Sequence, residues 1–156
     1  MKEIWIELSS DTSASEKLSI MKLAKDNCDY LLQNNQIERL LGKDEIILLE
    51  SIDKNKIRSL KREGKKSAIK FAIAGKEDEN KAAKAAELMV DYILLTCLDW
   101  CVIPLENLIA KSRNKSKLIA EVSSFKDAKL VLEALELGTD GVLLKTSSSQ
   151  ELEETI

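Results

Sequence analysis

Three short apolar runs in the second half of the chain constrain the fold more than any other feature. They are Tyr92–Thr96, Leu118–Val122 and Val142–Leu144, and each one stops at polar residues. Runs that are apolar on both faces are typical of strands in a parallel sheet that helices cover. Two helical patterns lie between the runs. In such folds the polar residues at the ends of the strands carry the chemistry.

The same alternation of strand and helix patterns extends back to the start of the chain. Strands are predicted at Glu3–Leu8, Tyr30–Gln33, Glu45–Glu50, Ser67–Ala74, Asp91–Thr96, Lys117–Val122 and Gly141–Lys145. Alternation of this kind predicts a right-handed parallel α/β fold. The short units, roughly 20–30 residues each, favour a (β/α) barrel of the TIM type over an open sheet. With about seven strands the barrel is expected to be incomplete, and residues 1–156 form a single domain.

Helices are predicted between these strands from helical spacing and capping residues. They are expected at about 14–27, 54–62, 76–90, from 104 onward, 125–137 and from 151, with a helical turn at Gln36–Leu41. Ser13 or Ser15 is the candidate cap of the first helix and Asp53 of the second. The apolar residues expected to face the core are Leu18, Met21 and Leu23 in the first helix and Ala82, Ala83, Ala86 and Met89 in the third.

Charge and composition exclude several classes of function. The net charge of −3 and the pI of about 5.2 argue against a nucleic-acid partner. No apolar run reaches the roughly 20 residues of a membrane span. The first residues lack the pattern of a signal peptide. A cytoplasmic protein that acts on a small molecule is therefore expected, with no membrane partner.

The residue types also limit the chemistry. The chain contains no histidine, so a Ser-His-Asp triad is excluded and acid–base work falls to Asp, Glu, Lys, Tyr or Cys. Cys28, Cys97 and Cys101 are expected to be free thiols, because a zinc site needs four ligands. No metal is predicted. Neither GxGxxG nor GxxxxGK[ST] occurs, so the usual phosphate-binding loops are absent.

Glu121 and Lys145 are the first candidates for catalysis. Each lies near the end of a predicted strand, and the two strands are consecutive. Neighbouring barrel strands would bring the two side chains together, either as a catalytic pair or as a salt bridge. These two interpretations are compatible, because proximity perturbs the pKa of both groups.

Lys70 is the third catalytic candidate. It lies inside SAIKFAIA, in phase with Ala68, Ala72 and Ala74, where a lysine has apolar neighbours on both sides. It is expected to pair with a carboxylate, to bind a substrate oxygen, or to form a Schiff base if buried and neutral. Glu7 on the first strand is its candidate partner.

Several segments resemble 3-dehydroquinate synthase II, the archaeal-type enzyme of an alternative route into aromatic amino acid synthesis. They are Lys2–Glu7 (KEIWIE), Asp99–Ala110 (DWCVIPLENLIA), Lys117–Val122 (KLIAEV) and Ala134–Thr146 (ALELGTDGVLLKT). The resemblance implies an NAD-dependent oxidative deamination of 2-amino-3,7-dideoxy-D-threo-hept-6-ulosonate, followed by ring closure to 3-dehydroquinate. It also implies a substrate-binding or structural role for Glu106 and Asn107, and a substrate-binding role for Glu7.

Members of that family are substantially longer, and this chain resembles only their N-terminal part. Two other functions remain open. One is a Schiff-base aldolase that uses Lys145 or Lys70. The other is a non-catalytic module whose exposed seam binds the rest of the protein or a second copy, which makes a homo-oligomer possible.

Overall fold

The computed structural model describes residues 3–8, 12–33, 35–97, 108–111, 115–122 and 140–146. The strands are β1 (Glu3–Leu8), β2 (Tyr30–Gln33), β3 (Gln36–Arg39), β4 (Ile46–Leu49), β5 (Lys66–Ile73), β6 (Tyr92–Cys97), β7 (Lys117–Val122) and β8 (Gly141–Thr146). The helices are α1 (Ala14–Asn27), α2 (Lys54–Arg62) and α3 (Lys76–Glu87). Residues 108–111 are also helical.

The strands form one eight-stranded sheet in the order β3-β2-β1-β8-β7-β6-β5-β4. All neighbours except β2 and β3 are parallel. The expected (β/α) barrel architecture is therefore confirmed, and the predicted strands, including the short second one, belong to one sheet. The sheet is nearly closed: its two edges, β3 and β4, lie near each other without pairing in the described part of the chain.

The barrel is incomplete, as expected, but its opening does not lie between the first and last strands. The last strand, β8, pairs directly with β1 over six register positions, from Glu3↔Gly141 to Leu8↔Thr146. Gly141 permits this closure, because a Cβ at this position would overlap the carbonyl oxygen of Glu3. The barrel is incomplete between β3 and β4 instead.

The prediction of a helical turn at Gln36–Leu41 is wrong. Residues Gln36–Arg39 form β3, which folds back antiparallel onto β2 with Gln33 opposite Gln36. Asn35 has a φ of 59°, in the left-handed region that tight hairpin turns require and that asparagine tolerates. This hairpin supplies the eighth strand of the sheet.

The helix boundaries agree with the capping residues. Ser13 accepts a hydrogen bond from Glu16 N at the start of α1, and Asp53 accepts from the first amides of α2. Both caps satisfy N–H groups that have no partner inside the helix. The third helix ends at Glu87, three residues earlier than predicted.

Two apolar layers hold the barrel together. The outer layer packs the sheet against the helices, and the inner layer fills the barrel. Strand residues of the outer layer include Ile6, Leu31, Leu49, Ile69, Ile93, Leu95, Val142 and Leu144. The inner layer contains Trp5, Tyr30, Leu32, Ile46, Ala68, Tyr92, Leu94, Ile119 and Leu143. Its centre is aromatic, with the rings of Trp5 and Tyr30 4.8 Å apart and those of Trp5 and Tyr92 5.2 Å apart.

Two residues predicted to face the core are exposed. Leu18 is 74% exposed and Met89 is 45% exposed. In α1 the buried positions are Ile20 and Ala24, and the predicted Met21 and Leu23 are partly buried against the core, so only Leu18 departs from the prediction for this helix. Met89 lies beyond the end of α3 and has a φ of 64°, which directs the chain away from the helix.

Several predictions lie outside the described residues. They concern Glu106, Asn107 and the helices predicted at 125–137 and from 151. Among the described helices, none has the length and hydrophobicity that crossing a membrane requires.

Candidate active site

The inner face of the barrel becomes polar at the carboxyl ends of its strands. Trp5, Leu94, Ile119 and Leu143 belong to the inner layer. Side chains alternate along a strand, so the residue two positions further on points to the same side. These residues are Glu7 on β1, Thr96 on β6, Glu121 on β7 and Lys145 on β8. The predicted sharing of one face by Glu121 and Lys145 is therefore confirmed.

Lys70 also lies inside the barrel, one layer of side chains closer to the amino end than Glu7, Thr96, Glu121 and Lys145. It lies in register with Leu94, which is paired with Ile119, two residues before Glu121. Its side chain is 33% exposed and reaches toward the carboxyl end of the barrel. Its Nζ lies 3.5 Å from Oε2 of Glu7 and 3.3 Å from Oε1 of Glu121. The predicted pairing of Lys70 with Glu7 is confirmed, and Glu121 is a second partner.

The predicted salt bridge between Glu121 and Lys145 is wrong for the described structure. Glu121 pairs with Lys70, and the two strands carrying Glu121 and Lys145 are staggered so that Glu121 lies beside Leu143. Lys145 is instead in register with Glu7. Its ammonium lowers the pKa of Glu7 electrostatically, as a weaker influence than Lys70.

Glu7 has an altered acidity. Burial raises its pKa above the ordinary 4.5, the Lys70 ammonium opposes that rise, and the Glu121 carboxylate adds to it. A carboxyl group with a raised pKa is better matched to proton transfer near neutral pH than an ordinary one.

Two buried oxygen atoms of this group lack hydrogen-bond partners among the described residues. They are Oγ1 of Thr96 and Oε1 of Glu121. The Glu121 oxygen is close to Nζ of Lys70, but this ion-pair contact lacks hydrogen-bond geometry. Thr96 is not evident as a site residue from the sequence, because it stands at the polar end of an apolar run. Its alternation with Tyr92 and Leu94 is the signal that places it inside the barrel.

The amino end of the barrel is polar as well, and the Glu3 carboxylate there is hydrogen-bonded to several side chains. Glu3 accepts hydrogen bonds from Trp5 Nε1 at 3.2 Å, from Tyr92 OH at 3.3 Å and from Lys117 Nζ at 2.9 Å. The hydrogen bond to Glu3 raises the pKa of Lys117, while burial raises that of Tyr92. An open cavity of about 330 Å³ lies at this end, lined by Lys66, Asp91, Tyr92, Lys115, Ser116, Lys117 and Asp140.

The described residues lack the glycine-rich turn between a strand and a helix by which doubly wound folds hold the pyrophosphate of a dinucleotide. Gly75 is the single glycine in the turn from β5 to α3, and Gly42 packs under the ring of Tyr30.

Within the described ranges, no group of three His, Cys, Asp or Glu side chains could hold a metal ion. Burial raises the pKa of the free Cys28 thiol to about 12, which makes it a poor ligand.

Comparison with known families decides what this barrel is related to. The family model of the 3-dehydroquinate synthase II N-terminal domain matches residues 1–156. The chain belongs to this family. The resemblance seen in the sequence is thereby confirmed.

Curated relatives named 3-dehydroquinate synthase agree with this assignment. The protein of Methanococcus vannielii is 34% identical over 99% of this chain and 47% of its own length. That of Methanosphaera stadtmanae is 33% identical over 97% of this chain and 46% of its own length. That of Methanocaldococcus jannaschii is 43% identical over a shorter region, 63% of this chain and 28% of its own length. The chain thus spans about half the length of the relatives that match it throughout.

Solved structures confirm the architecture. A mutant tryptophan synthase alpha-subunit from Pyrococcus furiosus superimposes with a TM-score of 0.59 at 11% identity, over 99% of this chain and 97% of that one. A monomeric phosphoribosylanthranilate isomerase from Thermotoga maritima gives the same TM-score and identity, over 99% of this chain and 96% of that one. At this level of identity the likeness concerns the fold alone.

Proposed function

We propose that this chain is the substrate-binding barrel of a 3-dehydroquinate synthase. In the proposed reaction, 2-amino-3,7-dideoxy-D-threo-hept-6-ulosonate is oxidatively deaminated with NAD and then closes to 3-dehydroquinate. Membership of the family supports the assignment. The observation that carries the site is the Lys70 ammonium held between the carboxylates of Glu7 and Glu121 at the carboxyl end of the barrel, where barrels of this type bind their substrates.

Each charged group has a proposed role. Glu7, whose pKa burial raises, exchanges protons with the substrate. Lys70 lies against two carboxylates, so we assign it to hydrogen bonding with a substrate oxygen, which requires the ammonium form. Lys145 is exposed at the rim beside Glu7, where it would attract the substrate carboxylate. Ring closure needs a proton removed next to one carbonyl and another carbonyl polarised, which a carboxylate and an ammonium supply together.

NAD is proposed as the oxidant of the whole enzyme, with its site outside the described residues. These residues offer no pyrophosphate loop, so no step of the roles above depends on where the cofactor binds. Glu106 and Asn107 remain proposed substrate contacts, since they too lie outside the described ranges.

The test is binding of 3-dehydroquinate to the purified chain, measured by isothermal titration calorimetry. We expect Lys70→Met to weaken binding about tenfold or more, because a charge-assisted hydrogen bond contributes about 1.5–3 kcal/mol. Lys81→Met is the matched control. Lys81 is also paired with a glutamate, Glu77 at 3.9 Å, but this pair is on the exposed face of α3. The control should bind like the wild type.

Unchanged affinity in Lys70→Met, or no binding by the folded wild type, would contradict the proposal. Borohydride treatment in the presence of 3-dehydroquinate separates it from the alternative aldolase function. Covalent trapping of the ligand on Lys70 would favour a Schiff-base enzyme, whereas the proposed role predicts no adduct.

A further inference from the structure

The two buried oxygens that make no hydrogen bond among the described residues lie on adjacent strands. Leu94 and Leu95 of β6 pair with Ile119 and Ala120 of β7. The next position along this register places Thr96 beside Glu121. Oγ1 of Thr96 and Oε1 of Glu121 are both buried and both lack a hydrogen bond among the described residues.

The Thr96 hydroxyl in this position is unfavourable for folding, because a buried polar atom without a hydrogen-bond partner costs about 1–3 kcal/mol. Most buried polar atoms in native proteins are hydrogen-bonded, so each exception needs an explanation. A valine in place of Thr96 would keep the shape without this cost. The hydroxyl therefore fits a contact that forms only when a ligand is present.

The surrounding charges indicate what this ligand offers. Glu121 Oε1 lies 3.3 Å from the Lys70 ammonium but makes no hydrogen bond among the described residues. Its lone pairs can therefore accept a hydrogen bond from a ligand. A carboxylate oxygen needs a donor, either a hydroxyl or an ammonium. A threonine hydroxyl can donate and accept. Together the two oxygens match one hydroxyl or amino group on a ligand whose neighbouring oxygen contacts Lys70.

We propose that Thr96 Oγ1 and Glu121 Oε1 form one subsite that binds a hydroxyl or amino group of the substrate and sets its orientation over Glu7 and Lys70. This inference rests on the proposed function and adds Thr96 as a specificity-determining residue. A site built to hydrogen-bond a hydroxyl discriminates strongly against ligands that lack it, because its own polar groups are then left unpaired.

The test compares Thr96→Val, which removes the hydroxyl at nearly constant shape, with Thr96→Ser, which keeps it. We expect Thr96→Val to bind 3-dehydroquinate about tenfold more weakly, the effect of losing one hydrogen bond. Thr96→Ser should stay within about threefold of the wild type. Without ligand, Thr96→Val should melt about 2–4 °C higher, because the unpaired hydroxyl is gone.

Ser67→Ala is the matched control. Ser67 is a fully buried hydroxyl at the other end of the barrel, but its Oγ has a partner in Oδ2 of Asp91 at 3.5 Å. This variant should not melt higher than the wild type and should bind the ligand equally well. The opposite behaviour of Thr96→Val and Ser67→Ala distinguishes a hydroxyl reserved for a ligand from one that stabilises the fold.

Two results would overturn the subsite and leave the proposed function intact. One is equal affinity of Thr96→Val and the wild type for 3-dehydroquinate. The other is a lower melting temperature of Thr96→Val, which would show that the hydroxyl has a structural partner. Failure of the wild type to bind 3-dehydroquinate would instead reject the proposed function and the subsite with it.

Discussion

Burial in the folded protein disfavours the ionised form of the Glu7 carboxyl group, and this affects the pH dependence of stability. Its pKa in the folded protein is above the ordinary 4.5, because burial outweighs the attraction of Lys70. The folded state therefore holds this proton more tightly than the unfolded state. As the pH rises above 4.5, the unfolded chain ionises first and is favoured. The contribution of Glu7 to stability therefore falls as the pH rises from about 4.5 to the pKa of Glu7 in the folded protein, and it is constant above that pKa.

We predict that Glu7→Gln removes this part of the pH dependence. The free energy of unfolding in urea should fall with rising pH more steeply in the wild type than in the variant, over about pH 4 to pH 8. Glu87→Gln, an exposed position in α3, is the control and should keep the wild-type slope. A variant slope equal to that of the wild type would show that Glu7 ionises alike in both states.

The register of the strands is fixed at the amino end of the barrel by a repeated element. An aspartate stands immediately before β2, β6 and β8, and its carboxylate accepts a hydrogen bond from the backbone of the adjacent strand. The contacts are Ile4 N to Asp29 at 2.9 Å, Ser67 N to Asp91 at 3.0 Å and Leu118 N to Asp140 at 2.8 Å. Asp29 and Asp140 also donate their own N–H to the same neighbour. These reciprocal bonds join strand ends whose N–H groups would otherwise have no partner.

We predict that Asp29→Ala destabilises the protein by about 1–2 kcal/mol, because the amide of Ile4 loses its acceptor. Hydrogen exchange at Ile4 should become faster. Asp26→Ala, on the exposed end of α1 three residues earlier, should change neither quantity appreciably. Slow exchange at Ile4 in Asp29→Ala would mean that water or another group replaces the carboxylate.

The pairing of β1 with β8 depends on one glycine. We predict that Gly141→Ala destabilises the protein by about 1–3 kcal/mol, since the added methyl group would push β8 away from Glu3. Gly75→Ala is the matched control, because a Cβ there meets nothing within 4 Å. It should stay within about 0.5 kcal/mol of the wild type. Urea unfolding measures both, and an equally stable Gly141→Ala would show that this closure is not tight.

The elements differ in how well their sequence specifies them. Strands covered on both faces carry long apolar runs, so β5, β6 and β7 were predictable. The hairpin strand β3 has an exposed QIER sequence without a strand pattern, and its conformation is determined by the turn at Asn35. In the site, alternation identified Glu7, Lys70 and Glu121. The pairing of Lys70 with Glu7 was also predicted, but that of Lys70 with Glu121 was not, because the stagger of the strands and the reach of the lysine decide which head groups meet.

At the scale of the whole molecule, the chain folds into a nearly closed barrel but corresponds to about half of its relatives. The seam between β1 and β8 is paired, so the proposed site has a wall of strands where the sequence suggested a gap. What the described residues lack is a glycine-rich pyrophosphate loop. Folding and substrate binding should therefore be separable from turnover.

We predict that this chain alone binds 3-dehydroquinate but shows little or no NAD-dependent turnover. Hydride transfer needs substrate and cofactor held in one geometry, and the loss of that positioning removes up to about 7–11 kcal/mol of catalysis. The measurement follows the absorbance of the reduced cofactor after the amino-ketose substrate and NAD are added. The 3-dehydroquinate synthase of Methanococcus vannielii, about twice as long, serves as the positive control.

Calorimetric binding in the same preparation shows that an inactive chain is folded and not simply misfolded. Turnover by the chain comparable to that of the longer relative would contradict the prediction. It would place the cofactor site within residues 1–156, and the segments around Glu106 and Asn107 and at 123–139 would then be the places to search for it. Binding without turnover would instead assign substrate recognition to this barrel and oxidation to the part of the longer relatives that this chain does not cover.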